Sequence, residues 1–386
     1  MATFLNIPNT RMIFCGSIIT LILGIIGFAV LISLNFVSTD SSVTSLEFVI
    51  AVPRHGARVP IFNFPTNPYQ GTQYWPEGRG ALTKKGKEQM YQIGQSLRKR
   101  YSHLFEEHGY RSEDLMVRST PRVRTYMSVA VLLAGMFPPE GINVWHPTIA
   151  WQPIPIFTDY HLDKTKLVTS IDWCPKFANE RIKLGNETMA DYFKENRDFF
   201  NYVGEHSGIA ISTAIDYVTV WDPIITSDIH GFSPPSWTDP IFPEKMNKIA
   251  SEIYRLSVAG TTIMNKLFSG PLLTDLDGWI SRKIAGNVSE KMLIHGAHDV
   301  TLTGLLSAVG FKEIPFVQPA ATLIIELHTS ALHEREVRML YYNNSDTEEP
   351  VSLNMPKCQN PCSVSNFFDI IRLLEIEGEW EDACKM

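Results

Sequence analysis

Leu46-Glu47-Phe48-Val49-Ile50-Ala51-Val52-Pro53 is a near-continuous apolar run that ends directly in Arg54-His55-Gly56-Ala57-Arg58. A run of this kind suits a strand buried on both faces of a parallel sheet, because a strand with one wet face alternates apolar and polar side chains. In open parallel sheets, ligands bind where the carboxyl ends of the strands open into loops. The motif therefore puts an imidazole between two guanidiniums at the edge where such folds build their sites. Arg54 and Arg58 can hold a dianion there by fork-shaped, charge-assisted hydrogen bonds, and a neutral His55 between them can attack phosphorus. Gly56 would allow a close backbone approach. Taken alone, the motif also fits an exposed basic turn with no chemistry.

The rest of the chain sets the compartment. Ile13 to Val37 carries no charged residue and is long enough to cross a bilayer as a helix, with Arg11 before it and Asp40 after it. The basic side stays cytoplasmic, so the remainder is expected to be exported, behind an uncleaved signal-anchor or after removal of a long signal peptide. The run exceeds the roughly 7 to 15 residues of a signal h-region, which favours the anchor. This divides the chain into a short cytoplasmic stretch at 1–12, a membrane segment at 13–37 and a folded part at 38–386, placed in the secretory pathway, at a membrane or secreted. At 386 residues, 44% hydrophobic and 19% charged, there is room for one large domain with an insertion, or for two domains. The formal charge is −7, and Arg11 is the one charged residue before Asp40. Nucleic acid is not an expected partner, since phosphate backbones recruit basic stripes.

Cys15 falls in the apolar segment, which leaves Cys174, Cys358, Cys362 and Cys384 outside, an even number in an oxidising compartment. The loop from Cys358 to Cys362 can close locally, which would leave Cys174 for Cys384. A zinc site is the alternative, although no second Cys or His pair at ligand spacing accompanies these residues. Asn186, Asn287 and Asn343 each open an N-glycosylation tripeptide.

Periodicity predicts the elements after the first strand. Residues 63–80 read as a long loop at the mouth of the site. Thr83 caps a helix to about Tyr101 with Met90, Ile93 and Leu97 on one face. Leu115-Met116-Val117 is a short strand ending at Arg118-Ser119-Thr120-Pro121, where Thr120 and Pro121 suit the cap and first turn of a helix to about Gly135. Residues 151–237 lack long apolar strands and read as an inserted, mostly helical cap. Helices follow near Glu244–Leu267 and Leu272–Ile284, then a strand at Lys291–Ile294 that leads into His298 and Asp299 at the start of another helix. Thr322–His328 and Val337–Tyr342 are closing strands, and a last helix lies around Phe367–Glu375. The expected fold is α/β, a three-layer core with a mostly parallel central sheet flanked by helices plus the smaller helical cap. Asp299 is also a good helix cap without chemistry, and Arg118 alone could be a surface arginine.

The ordered set Arg54-His55-Gly56-Ala57-Arg58-Val59-Pro60, Arg118-Ser119-Thr120, Phe137-Pro138-Pro139-Glu140-Gly141, Trp151-Gln152-Pro153-Ile154-Pro155 and His298-Asp299 resembles the histidine acid phosphatases, the acid-phosphatase branch of the histidine phosphatase superfamily. The resemblance covers most of the exported chain. It implies a phosphate monoester hydrolase in which His55 becomes a phosphohistidine, Arg54, Arg58, Arg118 and His298 bind phosphate, and Asp299 protonates the leaving oxygen. It implies no cofactor and no metal, because guanidiniums supply the charge neutralisation. It also implies the pairings Cys174–Cys384 and Cys358–Cys362, and suggests a homodimer. Departures are Pro121 where an acidic residue commonly follows the triplet, Val300 where Thr usually follows His-Asp, and Thr226 and Thr322 in place of a further disulfide. Competing readings are an inositol polyphosphate phosphatase or phytase on the same scaffold, a catalytically silent surface or secreted binding protein, and a metal-dependent hydrolase using His295 and His298.

Overall fold

The computed structural model describes residues 44–105, 109–169 and 172–386. The apolar segment at 13–37, expected to enter the membrane, lies outside these residues. No helix among the described residues is long and apolar enough to cross a bilayer. Chain contacts set apart a small unit made, within the described residues, of Thr44, Ser45 and Thr329–Glu334. It is held by Ser45 Oγ donating to the Thr329 carbonyl at 3.4 Å. The cores and the site described below belong to the large unit, Leu46–His328 with Arg335–Met386.

In chain order the strands are β1 (Thr44–Pro53), β2 (Leu115–Ser119), β3 (Met292–Gly296), β4 (Thr322–Ser330), β5 (Arg335–Tyr342), β6 (Val351–Leu353) and β7 (Cys362–Ser363). They form one sheet in the order β2-β3-β1-β4-β5-β6, with β7 also on β5. β3 pairs in parallel with β1 and with β2, while β6 and β7 run antiparallel to β5. The longer helices are α1 (Lys84–Tyr101), α2 (Val123–Met136), α3 (Pro175–Leu184), α4 (Arg197–Ser207), α5 (Ala214–Ile229), α6 (Glu244–Ala259), α7 (Thr262–Ile284), α8 (Asp299–Ala308) and α9 (Val364–Arg372).

Alternation explains the unbroken apolar run of β1. Phe48, Ile50 and Val52 enter one core with Leu272, Leu276 and Ile280 of α7, Leu302 and Leu305 of α8 and Phe367 of α9. Val49 and Ala51 enter the opposite core with Met90, Ile93 and Leu97 of α1 and Val129, Leu132 and Met136 of α2. Both faces of the sheet are thus covered by helices, which is the three-layer arrangement the run demands. A third cluster gathers Phe199, Val203, Tyr217, Trp221 and Ile224 of α4 and α5 with Met246, Ile249 and Ile253 of α6. Between β2 and β3 the described residues contain no strand.

Local chemistry moves several element ends. Thr83 caps α1 by accepting from Gly86 N. Thr120 and Pro121 do not begin α2: its cap residue is Arg122, and no side chain fills that role. The helical stretch after Glu244 breaks at Gly260 because Thr261 caps a new helix, accepting from Met264 N at 3.1 Å. The cap residue of α8 is His298, and Asp299 is already the first helical residue. Disulfides join Cys174 to Cys384 and Cys358 to Cys362.

His295 stands opposite Arg118 in the β2–β3 register and is 1% exposed. Neither ring nitrogen has a hydrogen-bond partner in the protein. Burial, then Arg118, push its pKa from 6.5 down to about 3. Below pH 6.5 the unfolded chain takes a proton here that the folded chain refuses, so stability falls as the pH drops. Lowering the pH from about 8 to about 5 should cost about 2 kcal/mol through this residue. His295→Leu is expected to remove that share. Urea denaturation at the two pH values tests it: an acid-induced loss of stability as large as in the parent chain would show that His295 does not carry it.

Candidate active site

The site forms where β1, β2 and β3 end together. The backbone N–H of His55 donates to the Ala297 carbonyl at 3.1 Å, and Thr120 N donates to the Gly296 carbonyl at 3.0 Å, so three strand ends are stitched edge to edge. The loop after β1 is pressed against the start of α1. A Cβ on Gly56 would lie 2.2 Å from the Gly86 carbonyl oxygen, and one on Gly86 would lie 2.1 Å from the Ala57 oxygen. The close approach open to Gly56 is therefore an approach to α1, and it fixes the backbone of His55. Gly56 N donates to Ser128 Oγ at 3.2 Å and Ala57 N to Gln89 Oε1 at 2.9 Å, which tie the same loop to α2 and α1.

His55 is 2% exposed, and its Nδ1 lies 2.8 Å from the Gly56 carbonyl. A carbonyl only accepts, so Nδ1 carries the proton and Nε2 keeps its lone pair. Burial, then Arg124, Arg54, His298 and Arg58, hold the His55 pKa well below the ordinary histidine range. The ring is therefore held in its neutral form well below the ordinary histidine range. His298 sits edge-on at 5.4 Å between ring centroids. Its Nε2 is 2.9 Å from Thr120 Oγ1, and its Nδ1 accepts from Arg124 Nη2 at 3.5 Å, since a guanidinium only donates.

Two of the surrounding guanidiniums have counter-ions. Arg54 Nη2 pairs with Asp299 Oδ2 at 2.8 Å and Nη1 donates to the Val317 carbonyl. Arg58 Nη2 pairs with Asp222 Oδ1 at 2.7 Å. Burial raises the Asp299 pKa, but Arg54, Arg58, His298 and the Val300 N–H outweigh it, and the net shift is downward. Asp299 Oδ1 accepts that N–H at 2.8 Å, which also suits a carboxylate at a helix N-terminus.

The arginine reading needs a correction. Arg118 is not drawn to His55. Strand alternation sends it, like Met116, to the α7 side of the sheet, where Nη1 donates to Asp275 Oδ1 at 3.1 Å and Nη2 pairs with Oδ2. The guanidinium that acts most strongly on both His55 and His298 is Arg124, in the first turn of α2, with Arg54 behind it. Among the described residues it has no ion pair. Burial, then Arg58, lower its pKa to about 10, so it stays cationic at acid pH. Starting α2 at Thr120 and Pro121 hid this residue in a helix interior. A usable signal was present: Arg122 and Arg124 together oppose the dipole at a helix N-terminus, which makes sense where an anion is received.

Beside Arg54 and Arg58 opens a narrow recess of about 10 Å³, room for about one water, walled by Ala57, Trp221, Ile225, Ile229, Phe316 and Pro319, with Asp222 and His230. The long loop does reach its rim: Trp75 meets His230 edge-on at 5.1 Å, and Tyr69 stacks on Phe232 at 4.9 Å. His295 does not join His298 in a metal-binding group, and the described residues hold no cluster of three or more such ligands.

Comparison with known proteins agrees with this geometry. The description of the histidine phosphatase superfamily (branch 2) matches residues 45–200. Human prostatic acid phosphatase is 32% identical over 358 residues, 91% of each chain. Human lysosomal acid phosphatase is 31% identical over 351 residues, 89% of this chain and 81% of that one. The phytase of Citrobacter braakii shares the fold with a TM-score of 0.66 at 16% identity, over 88% of this chain and 99% of that one. Hafnia alvei phytase in complex with myo-inositol hexakis sulphate gives 0.65 at 15% identity, over 89% of this chain and 99% of that one. An ordered motif set, strand ends that converge on a neutral histidine ringed by arginines, and relatives alike over nine-tenths of the chain lead to one statement: this protein belongs to the histidine phosphatase superfamily, branch 2.

Proposed function

We propose that this protein is an acid phosphatase that hydrolyses phosphate monoesters through a phosphohistidine on His55. The observation that carries the proposal is a neutral, tautomer-fixed imidazole facing three guanidiniums, one of which, Arg124, has no counter-ion among the described residues. A phosphate dianion supplies it. Nε2 donates its lone pair to phosphorus, the ester P–O bond breaks, and the leaving oxygen takes a proton from the Asp299 carboxyl. Water then attacks phosphorus, the P–N bond breaks, and Asp299 takes the water's proton. Arg54, Arg58, Arg124 and His298 line the phosphoryl oxygens and neutralise the charge that develops there.

The acid role sets the pH dependence. In the free protein Arg54 holds the Asp299 pKa low, so the carboxyl is ionised. Bound phosphate draws on the same guanidinium and adds negative charge, which pushes the carboxyl up and lets a mildly acidic solution protonate it. His55 stays neutral in that range. The two groups are thus separated by their surroundings rather than by their ordinary values.

The compartment and cap readings belong to the same proposal. Two disulfides and solvent-exposed Asn186, Asn287 and Asn343 fit a secretory-pathway protein, glycosylated and held at a membrane through its N-terminal segment or released from it. The helical stretch at about 151–237 serves as a cap whose α5 supplies Asp222 and Trp221 to the recess.

His55→Ala should abolish turnover in a folded protein, and rapid-quench labelling of the parent chain should place phosphate on His55; label on another residue would falsify the mechanism. Arg124→Gln should weaken competitive inhibition by inorganic phosphate about tenfold or more, as expected for losing a charge-assisted hydrogen bond, while Arg118→Gln should leave it within about threefold. Equal effects would return Arg118 to the site. Asp299→Asn should slow single-turnover cleavage of alkyl phosphates by about 10² to 10⁴, and of an activated aryl phosphate far less. Equal losses for both would remove Asp299 from the acid role.

A further inference from the structure

A second cavity, of about 300 Å³, opens between the end of α3, the start of α5 and α6, and no residue of the candidate active site lines it. Its wall is mostly apolar, with Leu184, Met189, Phe193, Ala214, Ile253 and Leu256. The π-helical turn Gly185–Met189 forms part of it, and a Cβ on Gly185 would meet nothing within 4 Å, so this turn leaves space rather than filling it. Arg181 is the one charged residue on the wall. Its Nη1 donates to the carbonyls of Leu167 at 3.3 Å and Val168 at 2.9 Å, and among the described residues it has no ion pair. Burial lowers its pKa, with no acidic side chain acting against that shift. Three carboxylates on the same helices are engaged elsewhere. Glu180 pairs with Lys183 at 3.1 Å, Glu252 pairs with Arg255 at 2.6 Å, and Asp216 accepts from Ser212 N at 3.1 Å and Thr213 N at 2.8 Å.

We propose that this cavity is a binding site for small apolar carboxylates of the arylalkanoate or medium-chain acyl type, with the apolar body on Phe193, Ile253 and Leu256 and the carboxylate on Arg181. Ligand pockets of this size are built in the same way, with apolar walls and a few polar groups that fix orientation. An apolar wall left to water forgoes burial and packing that such a body restores. Arg181 Nη1 is taken up by backbone carbonyls, which leaves Nε and Nη2, one edge of the fork, to meet two carboxylate oxygens. A neutral apolar molecule gains only the burial, and inorganic phosphate gains only the charge. The site stands apart from the phosphatase reading and does not rest on it.

The test is calorimetric titration of the full chain with 4-phenylbutyrate and with 4-phenylbutyramide, which has nearly the same shape and no charge. The carboxylate should bind saturably, with a dissociation constant of about 2 mM or tighter, as expected for a ligand of about a dozen heavy atoms. The amide should bind about tenfold more weakly, because it forgoes the charge-assisted hydrogen bonds. Arg181→Gln, checked for folding by circular dichroism and thermal melting, should bring the carboxylate down to the affinity of the amide. Arg124→Gln should leave carboxylate binding within about threefold of the parent, since no active-site residue lines the cavity. Two outcomes in the parent chain overturn the proposal whether or not Arg181→Gln folds: no saturable binding up to about 10 mM, or equal affinities for acid and amide. Carboxylate binding that survives in a folded Arg181→Gln variant overturns it as well, and its loss in Arg124→Gln would place the ligand at the active-site arginines instead.

Discussion

Three guanidiniums, two buried and one half-buried, gathered around one neutral imidazole are the arrangement on which the rest of this structure depends. A buried charge is costly unless paired and hydrogen-bonded. Asp299 and Asp222 meet that need for Arg54 and Arg58, and each comes from a different part of the chain. Burial first, and then the surrounding guanidiniums, keep protons off His55 and His298. Arg124 is left over, at the end of a helix whose dipole already repels it. The folded protein thus stores an electrostatic imbalance that an anion removes.

That cluster needs a rigid frame, and the frame comes from backbone packing more than from side chains. Three parallel strand ends share hydrogen bonds at His55, Thr120 and Ala297. The loop between Gly56 and Thr83 is held by mutual glycine contact with α1, by the Thr83 hydroxyl donating to the Ala57 carbonyl at 3.0 Å, and by Asp222 binding the Ile61 and Phe62 amides. Side chains placed on strand ends and helix starts lose little further entropy when they meet a ligand, which is why such edges suit precise chemistry.

Ion pairs of similar geometry serve different ends in this chain. The Arg118–Asp275 pair links β2 to α7 on the far side of the sheet, and the buried Glu326 receives Arg100 at 3.1 Å, the Tyr101 hydroxyl at 2.7 Å and His328 at 2.8 Å away from the site. Geometry of the pair does not mark function. What distinguishes the site is convergence on a neutral imidazole together with a cation left without a counter-charge among the described residues.

The sequence by itself determined the doubly covered sheet, the placement of His55 between two arginines at a strand end, and His298 and Asp299 at another. These follow from local facts: side-chain alternation, helical spacing and a motif a few residues long. It did not distinguish Arg118 from Arg124, because which face of a strand is covered by which helix, and where a helix starts when no side chain caps it, are settled only by packing. Nor did it reveal Asp222, which is brought to Arg58 by α5 across a separation of 164 residues. Contacts at such distance depend on how helices dock, and a buried carboxylate looks in sequence like any acidic residue on a helix until its partner is known.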